Sequence, residues 1–324
     1  MPSKKKIAVF FTQPNFYDYP FDDYEQQTGS RYALAYHELA QEVHKLGGEF
    51  YIARSNQTYL GNRHFCQGWV WNGAEFQAVQ EFQADVIYDK SDGSEPKWPD
   101  FRGDSQSQFL NANELVEICN DKFRTYEAFQ KFCPQTFLVR NKAELEKIIV
   151  KIKTEQKVLK PLCGAGGAGI LIGDAGQVLA QAQDFPYVVQ EFLDTSGGIP
   201  GIIAGRHDLR IIRINNENIF SYVRTPPQGS LTANLSQGGA GLPVALAQVP
   251  QAVLAMIEKI DVQFQDFTRV YSLDFCLGAD AEFKLIELNA QPAMISRKYL
   301  PEYAIFQQKL AEVLVHGEIP RVIN

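Results

Sequence analysis

The strongest constraint on the fold is an alternation of short apolar runs with an amphipathic segment across the first third of the chain. Residues 7–11, 50–53 and 85–89 have the length and composition of buried strands. Between the first two, Tyr32, Tyr36, Leu39, Val43 and Leu46 recur at helical spacing until Gly47-Gly48 stops the helix. A strand–helix–strand rhythm implies an open parallel sheet, whose ligands lie beyond the carboxyl ends of the strands. Trp69-Val70-Trp71 followed by Asn72-Gly73 reads as a hairpin leaving that sheet. Residues 91–104 read as a polar loop.

Further along, the pattern changes. Residues 113–132 read as one long helix ended by Pro134, and Asn141-x-x-Glu144 as a capping box opening a helix to about residue 154. Strands then dominate, at 158–160, 169–172, 187–193, 208–215 and 219–225. A helix over 249–264, two strands around Asp274 and Glu287, and a helix over 302–315 follow. At 324 residues the chain exceeds what one core usually holds. Three units are expected: an N-terminal α/β domain over 1–120, a lobe over 121–194, and a second lobe over 195–324.

Composition narrows the function. The formal charge of −7 argues against general nucleic-acid binding, which calls for a basic face. No apolar run is long enough for a membrane span. The start, MPSKKKIAVFF, pairs a basic run with an apolar one that breaks at Thr12-Gln13-Pro14, so a buried strand is expected rather than a secretory leader. The five cysteines form no C-x-x-C pair, which points to reduced thiols and a cytoplasmic location, and the five histidines show no metal-binding spacing.

Two segments carry chemistry. In VLKPLCGAGGAGI, residues 158–170, a strand ending in Lys160 runs into Gly164, Gly166, Gly167 and Gly169. Glycines at this density let backbone N–H groups surround phosphate oxygens, and the lysine supplies charge for the same anion; the alternative is a flexible turn with an incidental lysine. The segment is neither a Walker A loop nor a G-x-G-x-x-G turn. In YSLDFCLG and FKLIELNAQP, within 271–292, two strands carry Asp274, Glu287 and Asn289. Alternation puts Glu287 and Asn289 on one face and turns Ile286 and Leu288 into apolar packing. Two carboxylates and an amide oxygen suit Mg²⁺ when phosphates complete its octahedron; an ordinary solvated strand face is the competing reading.

The order of these pieces resembles the ATP-grasp superfamily, and most closely bacterial glutathione synthetase and its ribosomal-protein-glutamate-ligase relatives. The resemblance runs over about 85–300: Asn120-Asp121-Lys122, the glycine loop, Gln190–Leu193, His207–Arg210, RTPPQGSLTANLSQGGAG over 224–241, and LIELNAQP over 285–292. It implies an N-terminal open parallel-sheet domain followed by a two-lobed ATP-grasp α+β domain. It further implies an ATP-dependent ligase that joins a carboxylate to an amine through an acyl phosphate.

Carried over by residue, Lys122 and Lys160 would hold the α- and β-phosphates, with Gly164, Gly166 and Gly167 in the flap above them. Gln190, Glu191, Phe192 and Leu193 match the hinge that reads adenine. Asp194 matches a ribose contact, although the insert TSGGIPGIIAGRH that follows it departs from the family pattern. Arg210 matches the arginine that steadies the transferring phosphoryl group. Asn234 lies in a segment expected to close over the reacting groups, and Asp274, Glu287 and Asn289 match the ligands of two Mg²⁺ ions, Mn²⁺ being an alternative. Lys90, Arg224 and Arg297 are candidate anchors for the carboxylate substrate, since arginine grips a carboxylate with paired hydrogen bonds. Small-molecule substrates and a homo-oligomer are expected. A nucleotide-binding protein without turnover, or a ligase acting on a peptide or protein terminus, are the alternatives.

Overall fold

Five consecutive buried residues make Lys6–Phe11 (β1) the centre of the first sheet. The computed structural model describes residues 4–14, 19–21, 31–91, 103, 108–164, 166–233, 235 and 238–317. After β1 come helix α1 (Arg31–Lys45) and β2 (Glu49–Arg54), then five short strands: β3 (Tyr59–Gly61), β4 (His64–Phe65), β5 (Gly68–Trp71), β6 (Phe76–Val79) and β7 (Phe82–Gln83). Strands β8 (Val86–Asp89) and β9 (Phe109–Leu110) follow. The first sheet has the order β6-β5-β2-β1-β8-β9. Strands β2, β1, β8 and β9 run parallel, whereas β5 and β6 add as an antiparallel hairpin, so the sheet is mixed rather than wholly parallel. The hairpin turns where Asn72 Oδ1 accepts the N–H groups of Ala74 and Glu75. A separate three-stranded sheet, β3-β4-β7, stacks Phe65 on Phe82 and Phe82 on Tyr51.

The expected helix over 113–132 is two helices, α2 (Asn113–Asn120) and α3 (Lys122–Phe129). The break falls at Asp121, whose extended backbone leaves the helical region while its carboxylate accepts from Phe123 and Arg124 N–H and caps α3. Strand β10 (Thr136–Val139), α4 (Lys142–Ile149), β11 (Lys157–Pro161), β12 (Leu171–Gly173), α5 (Ala175–Gln181) and β13 (Tyr187–Glu191) build an antiparallel sheet of order β10-β13-β11-β12. Asn141 caps α4 through its side chain, and the returning Glu144 carboxylate accepts from Arg140 N–H.

The remaining strands are β14 (Asp208–Ile214), β15 (Glu217–Thr225), β16 (Ala240–Val244), β17 (Val270–Leu277) and β18 (Phe283–Asn289), with α6 (Gln251–Asp261) before β17 and α7 (Ala304–His316) at the end. They form a five-stranded antiparallel sheet, β16-β15-β14-β17-β18. Leu209, Ile211, Leu273, Phe275 and Leu285 of this sheet pack with Val253, Ile257 and Ile260 of α6. Ile212, Phe220 and Tyr222 join the core of the first sheet through Phe306, Leu310 and Leu314 of α7. The N-terminal sheet and the five-stranded sheet therefore share one apolar mass. No helix among the described residues is long and apolar enough to cross a membrane.

Candidate active site

A cleft of ≈ 1020 Å³, part of it open to solvent, lies between the four-stranded and five-stranded sheets. One wall is β11 with its glycine loop; Gly164, Gly166, Gly167 and Gly169 all have positive φ, between 70° and 105°. A β-carbon would be strained there, which is why the sequence places glycine at each. Lys122 pins this loop: its Nζ donates to Gly164 O at 2.8 Å, and its N–H donates to Leu162 O at 3.0 Å. Lys160 is buried in the same wall; burial lowers its ammonium below the usual lysine range, opposed by the attraction of Glu287.

Gln190, Glu191, Phe192 and Leu193, the segment expected to be the hinge, line the cleft. Gln190 Nε2 donates to Thr136 Oγ1 at 2.8 Å, Glu191 Oε1 accepts Gln135 N–H at 2.9 Å, and Phe192 N–H donates to Thr154 Oγ1 at 3.3 Å. These bonds fix the hinge backbone from behind. Asp194 is exposed, and Ser196 N–H and Oγ and Arg206 Nη1 all donate to its carboxylate, holding it below the usual aspartate range.

The opposite wall is a charged row across the five-stranded sheet. Register pairs Asp208 with Arg224, Arg210 with Asp274, and Asp274 with Glu287. Arg210 grips Asp274 with two bonds of 2.6 and 2.5 Å. Arg224 grips Asp208 with bonds of 2.6 and 2.7 Å and reaches Asp274 Oδ2 at 2.6 Å. Burial raises Asp274, but the two guanidinium groups outweigh it and hold the carboxyl below its ordinary value. Asp208 is pushed the other way, up to about 6, by burial that Arg224 only partly offsets. Asp208 is thus a cleft residue to which the His207–Arg210 motif gave no role. The available signal was its two-residue spacing from Arg210, which puts both on one face of β14.

Glu287 sits beside Asp274 with its carboxylate 3.7 Å from Lys122 Nζ, and is about one-third exposed (29%). A register shift between Asp274 and Phe275 skips Ile286 in the ladder. This bulge brings Ile286 to the cleft with Glu287 and corrects the expectation that Ile286 packs inward. Asn289 Oδ1 accepts Gln291 N–H at 2.8 Å. No group of three or more His, Cys, Asp or Glu is gathered as a metal cage among the described residues. The donors fit a hard cation that takes few protein oxygens and several phosphate oxygens. Glu287 is available to such an ion, Asn289 retains a second lone pair, and Asp274 could join only by giving up a guanidinium bond.

Of the remaining candidates, Lys90 and Arg297 lie apart from the charged row. Lys90 Nζ donates to Gln291 O at 3.2 Å and Pro292 O at 3.0 Å, tying the end of β8 to the segment after β18; burial brings its ammonium down to about 7. Arg297 joins α1 to α7, donating to Glu42 Oε1 at 2.7 Å and to Gln307 Oε1. Asn234 lies outside the described residues; Leu231, Thr232 and Ala233 before it line the cleft. His207, part of the His207–Arg210 motif but given no role there, lines the cleft as a neutral ring: Nδ1–H donates to Gly205 O at 3.0 Å, Nε2 accepts Leu277 N–H at 3.2 Å, and burial lowers its pKa.

Two antiparallel sheets facing across a cleft, one bringing lysines and a glycine loop and the other a row of arginines and carboxylates, define an ATP-grasp fold. The chain belongs to the RimK-like ATP-grasp family, whose model matches residues 119–304. Among curated proteins it is similar to a glutathione synthetase of Synechococcus elongatus, 29% identical over 142 residues that make up 41% of each chain. It is also similar to a probable alpha-L-glutamate ligase of Legionella pneumophila, 24% identical over 46% of this chain and 50% of that one. The matched stretch thus spans about half or less of these relatives. In fold it resembles the D-alanyl-alanine synthetase A of Vibrio cholerae, with a TM-score of 0.67 at 11% identity over 97% of this chain and 98% of that one.

Proposed function

We propose that this protein is an ATP-dependent carboxylate–amine ligase, working through an acyl phosphate and most like glutathione synthetase in its chemistry. The observation that carries the reading is the pairing of two walls: Lys122, Lys160 and the glycine loop on one, and Arg210, Arg224, Asp274 and Glu287 on the other. A triphosphate and a carboxylate repel each other, so a site that joins them must present cations from both sides.

In this reading the glycine-loop N–H groups and the two lysines receive the phosphates, and the hinge receives the adenine. Arg210 and Arg224 leave part of their grip on Asp274 to hold the oxygens of the transferring phosphoryl group and the substrate carboxylate. The carboxylate oxygen attacks the γ-phosphorus, ADP leaves, and the amine then displaces phosphate from the acyl carbon to give the amide. Glu287, Asn289 and Asp274 would hold Mg²⁺, which when bound spreads the phosphate charge. No Ser–His–Asp or Cys–His arrangement is needed, because phosphorylation already makes the carboxylate electrophilic.

The amine's identity rests on the relatives alone, glycine by likeness to glutathione synthetases and glutamate by likeness to the glutamate ligase. Hydroxylamine tests the intermediate: with ATP, Mg²⁺ and γ-glutamylcysteine or glutamate as carboxylate, trapping should yield a hydroxamate with one ADP per hydroxamate. ADP formation with no hydroxamate from any carboxylate tried would count against an acyl phosphate.

A further inference from the structure

The insert between the hinge and β14 is a built loop. Ile199 is 2% exposed within the core of the five-stranded sheet and pairs back on Ile203, with hydrogen bonds of 2.8 and 3.0 Å between their main chains. Gly198 closes the turn at φ 75°; a β-carbon there would lie 2.2 Å from Ile203 O. The two ends are stitched together, Thr195 Oγ1 accepting His207 N–H at 3.3 Å, and His207 is bound in turn to β17.

This loop delivers Arg206 to the hinge end of the cleft. Its guanidinium lies 5.6 Å from the Phe192 ring centroid and donates one Nη1 bond to Asp194 at 3.1 Å. Arg206 lines the cleft together with Phe192, and its side chain is about one-third exposed (32%). The planar fork is held on two sides, by a ring face and by a carboxylate. A guanidinium has five N–H donors, so its link to Asp194 leaves others for a ligand.

We propose that Arg206, carried by this insert, is a specificity-determining residue that reads the sugar of the bound nucleotide, donating to the 2′-hydroxyl oxygen while Asp194 is held beside it. The inference rests on the ATP-binding reading above and adds to it a preference for ribonucleotides over deoxyribonucleotides. A pair built to bond a hydroxyl disfavours the analogue that lacks it, because its polar groups then lose a partner.

Calorimetric titration of the full chain with a non-hydrolysable ATP analogue and its 2′-deoxy counterpart, in Mg²⁺, tests this. Wild type should bind the ribonucleotide about tenfold more tightly, and Arg206→Ala should cut that preference to about twofold, mainly by weakening the ribonucleotide. Arg206→Lys, which keeps charge but loses the fork, should fall between. The melting temperature of each variant without nucleotide should stay within a few degrees of wild type, since the loop is anchored by Ile199 rather than by Arg206. Equal affinity of wild type for the two nucleotides, or a parallel loss of both in Arg206→Ala, overturns the inference while leaving the ATP-binding reading in place. Binding of neither nucleotide by wild type overturns both.

Discussion

At the scale of single residues, Asp274 is the pivot of the site. Both of its oxygens are taken by guanidinium groups, so removing the carboxylate would strand the buried Arg210 and leave Arg224 with Asp208 alone, at a cost of several kcal/mol. Glu287 is the better probe of metal chemistry because it is partly solvated. Glu287→Gln should cut turnover at least a hundredfold and weaken Mn²⁺–nucleotide binding, while the unfolding midpoint in urea stays near wild type; turnover above a few per cent would remove Glu287 from the metal set. Asp261 makes a cleaner stability probe, far from this chemistry. Burial pushes its carboxyl up, but bonds from Arg269, Arg213 and Tyr271 outweigh it and hold the group at about 2. A depressed acid stabilises the fold above its unfolded value near 4 and loses that contribution as pH falls toward 2. Urea unfolding of wild type should therefore lose on the order of 2 kcal/mol between pH 5 and pH 2 from this group, and Asp261→Asn should lack that part of the slope. That Glu287 and Asn289 share a face of β18 was legible in the sequence because strand alternation is local. The guanidinium saturation of Asp274 was not, since it depends on which strands become neighbours.

At the scale of elements, the sequence shows strands best where buried residues run long. The apolar runs of β1, β8, β14 and β17 were evident, whereas β4, β7 and β9, two residues each, carry too few positions for any period to register. The division of one expected helix into α2 and α3 turns on Asp121, a residue that reads equally as an exposed helical acid or as a cap. The bulge at Ile286 has the same origin: nothing in LIELN announces that the partner strand skips a residue. In the insert after the hinge, Gly198 is there to let two backbones meet, a role that no local pattern announces. Gly198→Ala should destabilise the protein by about 1–3 kcal/mol in urea unfolding, through positive φ and the contact with Ile203 O. An unchanged midpoint would mean that the loop tolerates opening at this point.

At the scale of the whole molecule, the N-terminal sheet is fixed to the site by a few polar side chains over long sequence separations. Asn111 Nδ2 donates to Val270 O at 2.7 Å and Ala290 O at 2.6 Å, while its Oδ1 accepts Val270 N–H at 2.6 Å. Just past β8, Lys90 donates to Gln291 O, and Gln291 Nε2 donates back to Ser91 O, tying the same junction. Partners 159 to 202 residues apart leave no local trace in the sequence, so the tie from Lys90 to the segment after β18 was not legible there. Asn111→Ala should cost about 2–4 kcal/mol in urea unfolding, because buried main-chain groups of β17 and of the segment after β18 lose their partner. A cost below 0.5 kcal/mol would mean that the junction is held by packing alone.

The central claim concerns what the assembled cleft does. Its most direct test is ADP release by the wild-type protein with ATP and Mg²⁺, across a panel that pairs γ-glutamylcysteine, free amino acids and peptides as carboxylates with glycine, glutamate and peptide amines. The account predicts that at least one pair gives ADP, phosphate and an amide in equal amounts, and that omitting either partner lowers the rate at least tenfold. ADP released at one rate whether or not an amine is present, or AMP and pyrophosphate in place of ADP, would contradict it.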